Sequence, residues 1–434
     1  MVRKRSSSHL LFLPLPFTLL SLATVVILAL LAIGCGEEGR EGAPSESDPG
    51  ALRDTSHDPS PDAASALPEE TAAVLELETT YPEGFSFLNG VRERSDGSLL
   101  AADPLAQLLL RIDLNAATTD TLGRVGPGPQ EYKQPDQVFP LPGDSSLLVD
   151  LGKAQLMVIN PDGSFREGLS MMVPREGGFP EILHPRFVDA AGNLYHQASR
   201  ARSGGPADSA AVTRFSRSSS TFDTVATIWL PENSQVRTQR FGFLPRMLEP
   251  RDDWAVGPDG RVAVIRAEDF SVEWTLAGGR KVLGPPHEFE TWSVTREDKE
   301  AQMAEMRNSA ISSVSMTSRS GGIQSLSMSR GIPNSGDGPG VDDFEWASTF
   351  PAFRNDRTLI SPRGEAWVER WVPVGSDSRW EVFDDEGIWS GSVVLPPRHQ
   401  ILGFGRSRQG AEVAYLTWAD EYDLKWLERY RIIR

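Results

Sequence analysis

Six times between Phe87 and the C-terminus the chain repeats one pattern of apolar and polar positions. A short strand-like run is followed by a tight turn containing Gly, an apolar run, a polar connection and a further run. The repeats are FLNGVRERSDGSLLAAD with QLLLRIDL (87–114), DQVFPLPGDSSLLVD with AQLMVINPDGSF (136–165), PRFVDAAGNLYHQAS with AAVTRFSRSSSTFDTVATI (from 185), DWAVGPDGRVAVIRAEDFSVEWTLAGGRKV (253–282), LISPRGEAWVERWVP with SRWEVFDDEGIWSGSVVL (from 359), and ILGFGRSRQGAEVAYLTWAD with LKWLERYRII (from 401). The apolar runs are five to eight residues long and rich in Val, Leu, Trp and Phe, which suits strands better than helices. The turns Asp96-Gly97, Gly143-Asp144, Gly192-Asn193, Asp259-Gly260, Arg363-Gly364 and Gln409-Gly410 supply residues that accept positive φ in tight hairpins.

Four strands per unit and six units predict an all-β protein, a six-bladed β-propeller with four-stranded antiparallel blades. A pair of β-sandwich domains is the alternative, and it gives no reason for the same phrase to recur six times. Residues 73–79 (AVLELET) alternate apolar and polar and precede the first unit, so they can pair with the last unit and close the ring.

One segment, at about 291–345, breaks the rhythm. Thr295 and Asp298 are spaced for a capping box, and Arg296 lies four residues before Glu300, which predicts a short helix over 295–308. Residues 308–340 hold ten Ser and six Gly among 33 residues, which predicts a mobile loop. Such an insertion is either surface decoration or a lid over one face of the ring.

The N-terminus has a different pattern. Arg3, Lys4 and Arg5 precede a stretch from 10 to 33 that carries no charge. That is long enough to cross a bilayer, which takes roughly 20 apolar residues. Pro14 and Pro16 disfavour one continuous helix, however, and the order of basic, apolar and small residues is that of an export signal. The exit Ala32-Ile33-Gly34-Cys35 resembles the lipobox of bacterial lipoproteins, which implies a signal peptide at 1–34 and lipid attachment at Cys35, the only cysteine in the chain. A single thiol cannot form an internal disulfide, but it is sufficient as an acylation point. Gly36 after the cysteine, by the same resemblance, implies the outer membrane of a bacterial envelope.

Residues 36–70 carry ten carboxylates against Arg40 and Arg53, with five prolines and no aromatic residue. Such a composition cannot bury enough apolar surface to offset ordering, so 35–72 is expected to be a disordered tether ahead of a propeller at 73–434. The whole chain has net charge −17, and removal of the leader with its three cations gives about −20. Nucleic acid is an unsuitable partner for that surface.

The stretch 123–135, GRVGPGPQEYKQP, has glycines but no Gly-Lys-Ser/Thr, so it is not a phosphate loop. It resembles the G-x-x-G-x-G-P-x-E-[FY] crossing between blades in bacterial six-bladed propellers related to the NHL-repeat and TolB-like groups. The resemblance is carried by motif over 87–170 and by blade rhythm afterwards. It implies a lipid-anchored propeller.

Common catalytic signatures are absent. His287-Glu288 has Thr291 where a zinc-binding helix needs a second His, and Ser407 sits in GFGRSRQG, which lacks the G-x-S-x-G elbow. No catalytic residue and no metal ligand is assigned. Propeller geometry nevertheless gathers the ends of the second strands around the channel: Asp103, Asp150, His196, Arg266, Asp269, Glu369, Arg370 and Asp420. His184, Arg186, Arg354 or His399 join them from the inner strands. Asp103, Asp150, His196, Glu369 and Arg370 are the candidate ligand-binding residues. Asp103, Asp150, Glu369 and Arg370 are expected to approach one another.

Carboxylates alone would suit Ca²⁺, whereas a mixture with Arg suits a polar organic or anionic ligand. The competing account of Asp103 and Asp150 is that they cap backbone amides at loop starts. Two functions follow. The favoured one is a monomeric, non-enzymatic lipoprotein that binds a protein or small polar ligand at its channel face, with no obligatory cofactor. The other is a calcium-dependent hydrolase resembling the gluconolactonase and paraoxonase propellers, although the second-strand ends here carry no Asn.

Overall fold

Along each second strand, alternate side chains enter two different cores, and this is what builds the ring. In a computed structural model of the chain, which describes residues 70–434 apart from 175–179, 199–206, 233, 310, 320–321, 331–337 and 408, Leu99 and Ala101 pack toward the last blade. Leu100 and Ala102 pack toward the second. Leu147 and Val149 face blade 3 while Leu148 faces blade 1. Val262 and Val264 face blade 3, and Ala263 and Ile265 face blade 5. A strand whose side chains alternate faces is buried on both sides only when it lies between two other sheets, so this near-continuous apolar run specifies stacked blades.

Six four-stranded antiparallel sheets result, at residues 91–121, 135–170, 187–229, 253–283, 353–395 and 400–433. One apolar core lies between each adjacent pair. The ring closes as expected: Val74–Thr80 pairs antiparallel with Lys425–Ile433 and becomes the outermost strand of blade 6. The leader, Cys35 and the acidic tether up to 69 lie outside the described residues.

Residues 123–135 form the crossing from blade 1 to blade 2. Glu131 folds back over it, accepting from Arg124 Nε at 2.7 Å and from the Gly128 amide at 2.7 Å. A Cβ at Gly126 would lie 2.1 Å from that carboxylate, so the glycine makes room for it. Lys153 fastens the same loop by donating to the carbonyls of Gly128 (2.7 Å) and Glu131 (2.6 Å).

The insertion departs from expectation. Helix α1 (Arg296–Ser309) forms with its capping box: Thr295 N and Oγ1 donate to Asp298 Oδ2 at 2.8 and 2.6 Å. The Ser-rich stretch after it, however, is a β-hairpin of Ile311–Arg319 and Gly322–Arg330. The expected loop is corrected to strands because apolar and hydroxyl residues alternate within it, and that period outweighs the Ser content.

The insertion is anchored at two places. Asp298 accepts from the Val374 amide of blade 5 at 2.8 Å. The hairpin donates from Met328 N to Leu151 O of blade 2 at 3.0 Å, and Leu326 and Met328 join the core between blades 2 and 3. Blades 2 and 5 are opposite one another in a ring of six, so the insertion crosses the channel axis. A small apolar cluster of Leu244, Met247, Met303 and Phe344 braces it from the crossing between blades 3 and 4. The insertion therefore lies across one face of the ring, in the position of a lid.

Candidate functional site: the channel mouth beneath the lid

Blade 5 shapes the site with an unusually large bulge. Its inner strand Phe353–Ile360 pairs Phe353 with Arg370 and then Thr358 with Val368, so Arg354, Asn355, Asp356 and Arg357 stand opposite Glu369 alone. Bulges of this kind re-aim side chains beside binding sites. Asp356 takes φ 63°, a left-handed conformation that Asp tolerates better than most residues.

The bulged residues reach into the channel. Asp356 meets Arg186 of blade 3 at 3.2 Å and Arg251 at 3.2 Å. Arg186 also clamps Asp253 of blade 4 at 2.7 and 3.2 Å, and Thr358 Oγ1 donates to the same carboxylate at 2.6 Å. Asp356 keeps 61% of its side chain accessible, although burial among protein atoms opposes its ionisation. Arg186, Arg251 and Arg357 overcome the burial so that its pKa is lowered.

Beside this network, Glu305 of α1 joins the bulge. Arg354 donates to one of its oxygens at 2.5 Å and Arg357 to the other at 2.9 Å. Burial opposes the charge, but the two guanidiniums outweigh it and pull the Glu305 pKa down to about 2. Glu369 lies on their other side, 3.5 Å from Arg354 Nε and 3.9 Å from Arg357 Nε. Burial dominates there and raises its pKa in spite of both arginines. On blade 2, Arg330 of the hairpin grips Asp136 at 2.7 and 3.2 Å, stacks over Phe87 and has His184 close to the same carboxylate.

The sequence candidates divide. Glu369 is in the network. Arg370, the next residue on the strand, points the opposite way. It donates to Ala352 O (2.5 Å) and Glu290 O (2.9 Å), pairs with Glu381 at 3.5 Å and is walled by Phe270, Phe289 and Trp292. Burial pushes its pKa down to about 10.

Asp103 accepts from the amides of Ser86 (2.6 Å), Leu105 (3.1 Å) and Ala106 (2.9 Å). Asp150 accepts from Lys133 (2.9 Å), Gln134 (2.9 Å) and Lys153 (3.3 Å). Each aspartate therefore fastens the entry loop of its own blade, and the expected approach of Asp103, Asp150, Glu369 and Arg370 is replaced by separate partner sets. Asp420 and Asp269 instead cap the turns that follow them, accepting from the amides of Tyr422 and Leu424 and from that of Ser271. His196 meets Glu181 at 3.2 Å in a buried pair. Arg266 bonds Asp252 and Glu273, and His399 pairs with Glu428.

Sequence reasoning named Arg186, Arg354, His184 and Glu369 but missed Asp136, Asp253, Asp356, Arg357, Glu305 and Arg330. The signal for two of these was the charged run Arg354-Asn355-Asp356-Arg357 at the start of the inner strand. Asp103 and Asp150 are engaged by amides, and among the described residues no three His, Cys, Asp or Glu side chains converge as ligands. On the outer strands of blade 6 a surface groove of about 640 Å³ is lined by Glu76, Glu78, Arg429 and Arg431. It is separate from the lidded mouth, and its arginines pair with its own glutamates.

No family model and no curated protein sequence matches the chain. Similar solved structures include a gluconolactonase from Xanthomonas campestris, at 11% identity and TM-score 0.38, covering 84% of this chain and 98% of that one. The calcium-binding protein regucalcin from Agrobacterium tumefaciens aligns at 10% identity and TM-score 0.34, covering 83% and 96%. A virginiamycin B lyase from Staphylococcus aureus aligns at 10% identity and TM-score 0.34, covering 83% and 99%. A likeness at this level carries no argument about activity.

Proposed function

We propose that the protein is a lipoprotein of the bacterial envelope, attached through Cys35, whose propeller binds a small polar ligand at the channel mouth under the lid. The observation that carries the binding reading is a set of buried polar atoms, His184 Nε2, Arg354 Nε and Glu369 Oε2, that lie 3.5 to 4.0 Å from an opposite charge but have no hydrogen-bond partner among the described residues. Each such atom costs about 1–3 kcal/mol unless water or a ligand satisfies it. A ligand carrying complementary groups is therefore bound more tightly than its size alone suggests.

The reading is tested by thermal melting of the purified protein against a panel of small organic acids, amino acids and sugars. At a hundredfold excess over Kd a true ligand adds about 2.7 kcal/mol of stability and raises the melting temperature. If no member of the panel shifts the melt at millimolar concentration, the reading fails. The anchor is tested separately: Cys35→Ser should move the protein from the membrane to the soluble fraction or leave the precursor unprocessed. Equal fractionation of both forms, each with its leader intact, would instead show an ordinary membrane anchor.

A hydrolase reading, calcium-dependent or not, has one observation in its favour. Glu369 is a buried carboxyl whose pKa is raised, lying next to two guanidiniums, which suits it to proton transfer. Ring-opening of gluconolactone, with and without added calcium, separates this reading from simple binding. Turnover that disappears in Glu369→Gln would support it.

A further inference from the structure

We propose that Arg354 and Arg357 form a receptor for the carboxylate of a small organic acid, and that Glu305 of the lid fills this receptor until the acid displaces it. The proposal rests on the channel-mouth reading and adds a ligand class and a gating contact to it. Two guanidiniums each donate to a different oxygen of one carboxylate, at 2.5 and 2.9 Å, and any free carboxylate can repeat that arrangement. Arg354 is held in place from behind by Trp371, with its guanidinium carbon 4.0 Å from the ring centroid. The receptor is thus built into blade 5, whereas the group occupying it belongs to the insertion.

The charges show what happens when Glu305 leaves. Arg354 and Arg357 then face Glu369, whose ionisation burial opposes and whose repulsion by Glu305 is gone, so two guanidiniums share one carboxyl where they had two. Lys425 of blade 6 is also close enough to feel both Glu305 and Arg357. An open lid therefore exposes cations that outnumber the anions beside them, in a channel where water screens them poorly. An incoming carboxylate restores the balance that Glu305 supplied. Access exists already, since Glu305, Arg354 and Arg357 keep 32%, 16% and 28% of their side chains open to solvent.

Neutralising the internal competitor should strengthen binding. Titration calorimetry of the full-length, detergent-solubilised protein with succinate should show Glu305→Gln binding about tenfold tighter than wild type, as one charged competitor becomes a neutral one. Adding Arg354→Ala to that variant should abolish the gain, and succinamide should bind neither form. Succinate should also accelerate proteolytic cleavage within the 311–330 hairpin of the wild-type protein, because displacing Glu305 loosens the lid. Succinate binding that is equal or weaker in a folded Glu305→Gln overturns the proposal. If that variant does not fold, an unchanged cleavage rate in wild type overturns it instead. A neutral compound that raises the melting temperature equally in wild type and Glu305→Gln would leave the channel-mouth reading standing and remove only this one.

Discussion

Arg330→Ala is expected to destabilise the folded protein by about 3–5 kcal/mol, the range for breaking a buried ion pair from one side. The Asp136 side chain is fully buried and Arg330 is 8% exposed, so water cannot replace the lost guanidinium. His184, 4.0 Å away, is the cation-forming group left beside the carboxylate. Burial is the main cause that lowers its pKa, with Asp136 opposing it, so His184 is a weak substitute for the guanidinium. Asp136 would then be a buried, poorly compensated anion.

The same substitution weakens the anchor at the blade 2 end of the lid. The Gln134 amide still holds the backbone of residue 330 from both sides, at 2.8 and 2.7 Å, so the hairpin should loosen without leaving its place. Denaturant titration and limited proteolysis at 311–330 measure the two effects. The double variant Arg330→Ala with Asp136→Asn should recover most of the loss, because it removes the stranded charge. A double variant no more stable than the single one would show that packing of the arginine stem over Phe87, and not charge, holds the latch.

The six blades were legible in the sequence because their cause is local. Each second strand has to be apolar on both faces, and each hairpin needs a residue that tolerates positive φ, as Gly97, Gly192, Gly260, Gly364 and Gly410 do. Composition misled in the lid. Ile311–Arg319 and Gly322–Arg330 read as a Ser-rich loop, yet both alternate, and Leu326 and Met328 supply the apolar positions that dock on blades 2 and 3.

The site was only half legible. Arg186, Arg354 and Glu369 could be placed from blade rhythm, since the start of an inner strand and the end of a second strand meet at one end of the ring. Glu305 and Arg330 could not. Their partners, Arg354 and Asp136, lie 49 and 194 residues away, and no local pattern records that the insertion spans opposite blades. The opposite directions of Glu369 and Arg370 follow from strand alternation, which the expectation of a four-residue cluster neglected.

Asp150→Asn should lower stability by roughly 2–4 kcal/mol and leave ligand affinity unchanged, which is the reverse of what a crowded cluster of binding carboxylates would give. In such a cluster, neutralising one charge relieves repulsion, so the fold would hold or gain stability while binding was lost. Here Asp150 is fully buried and three amides converge on its two oxygens, Lys133 on one and Gln134 and Lys153 on the other. Asparagine keeps one acceptor oxygen and turns the other into a donor that faces an amide N–H. A charge-assisted bond is lost and one or two buried donors lose their acceptor, each costing about 1–3 kcal/mol. The loss should be felt first in the crossing before Lys133, so early cleavage within 123–135 is expected alongside a lower denaturation midpoint. A more stable Asp150→Asn protein that no longer binds its ligand would return Asp150 to the binding site.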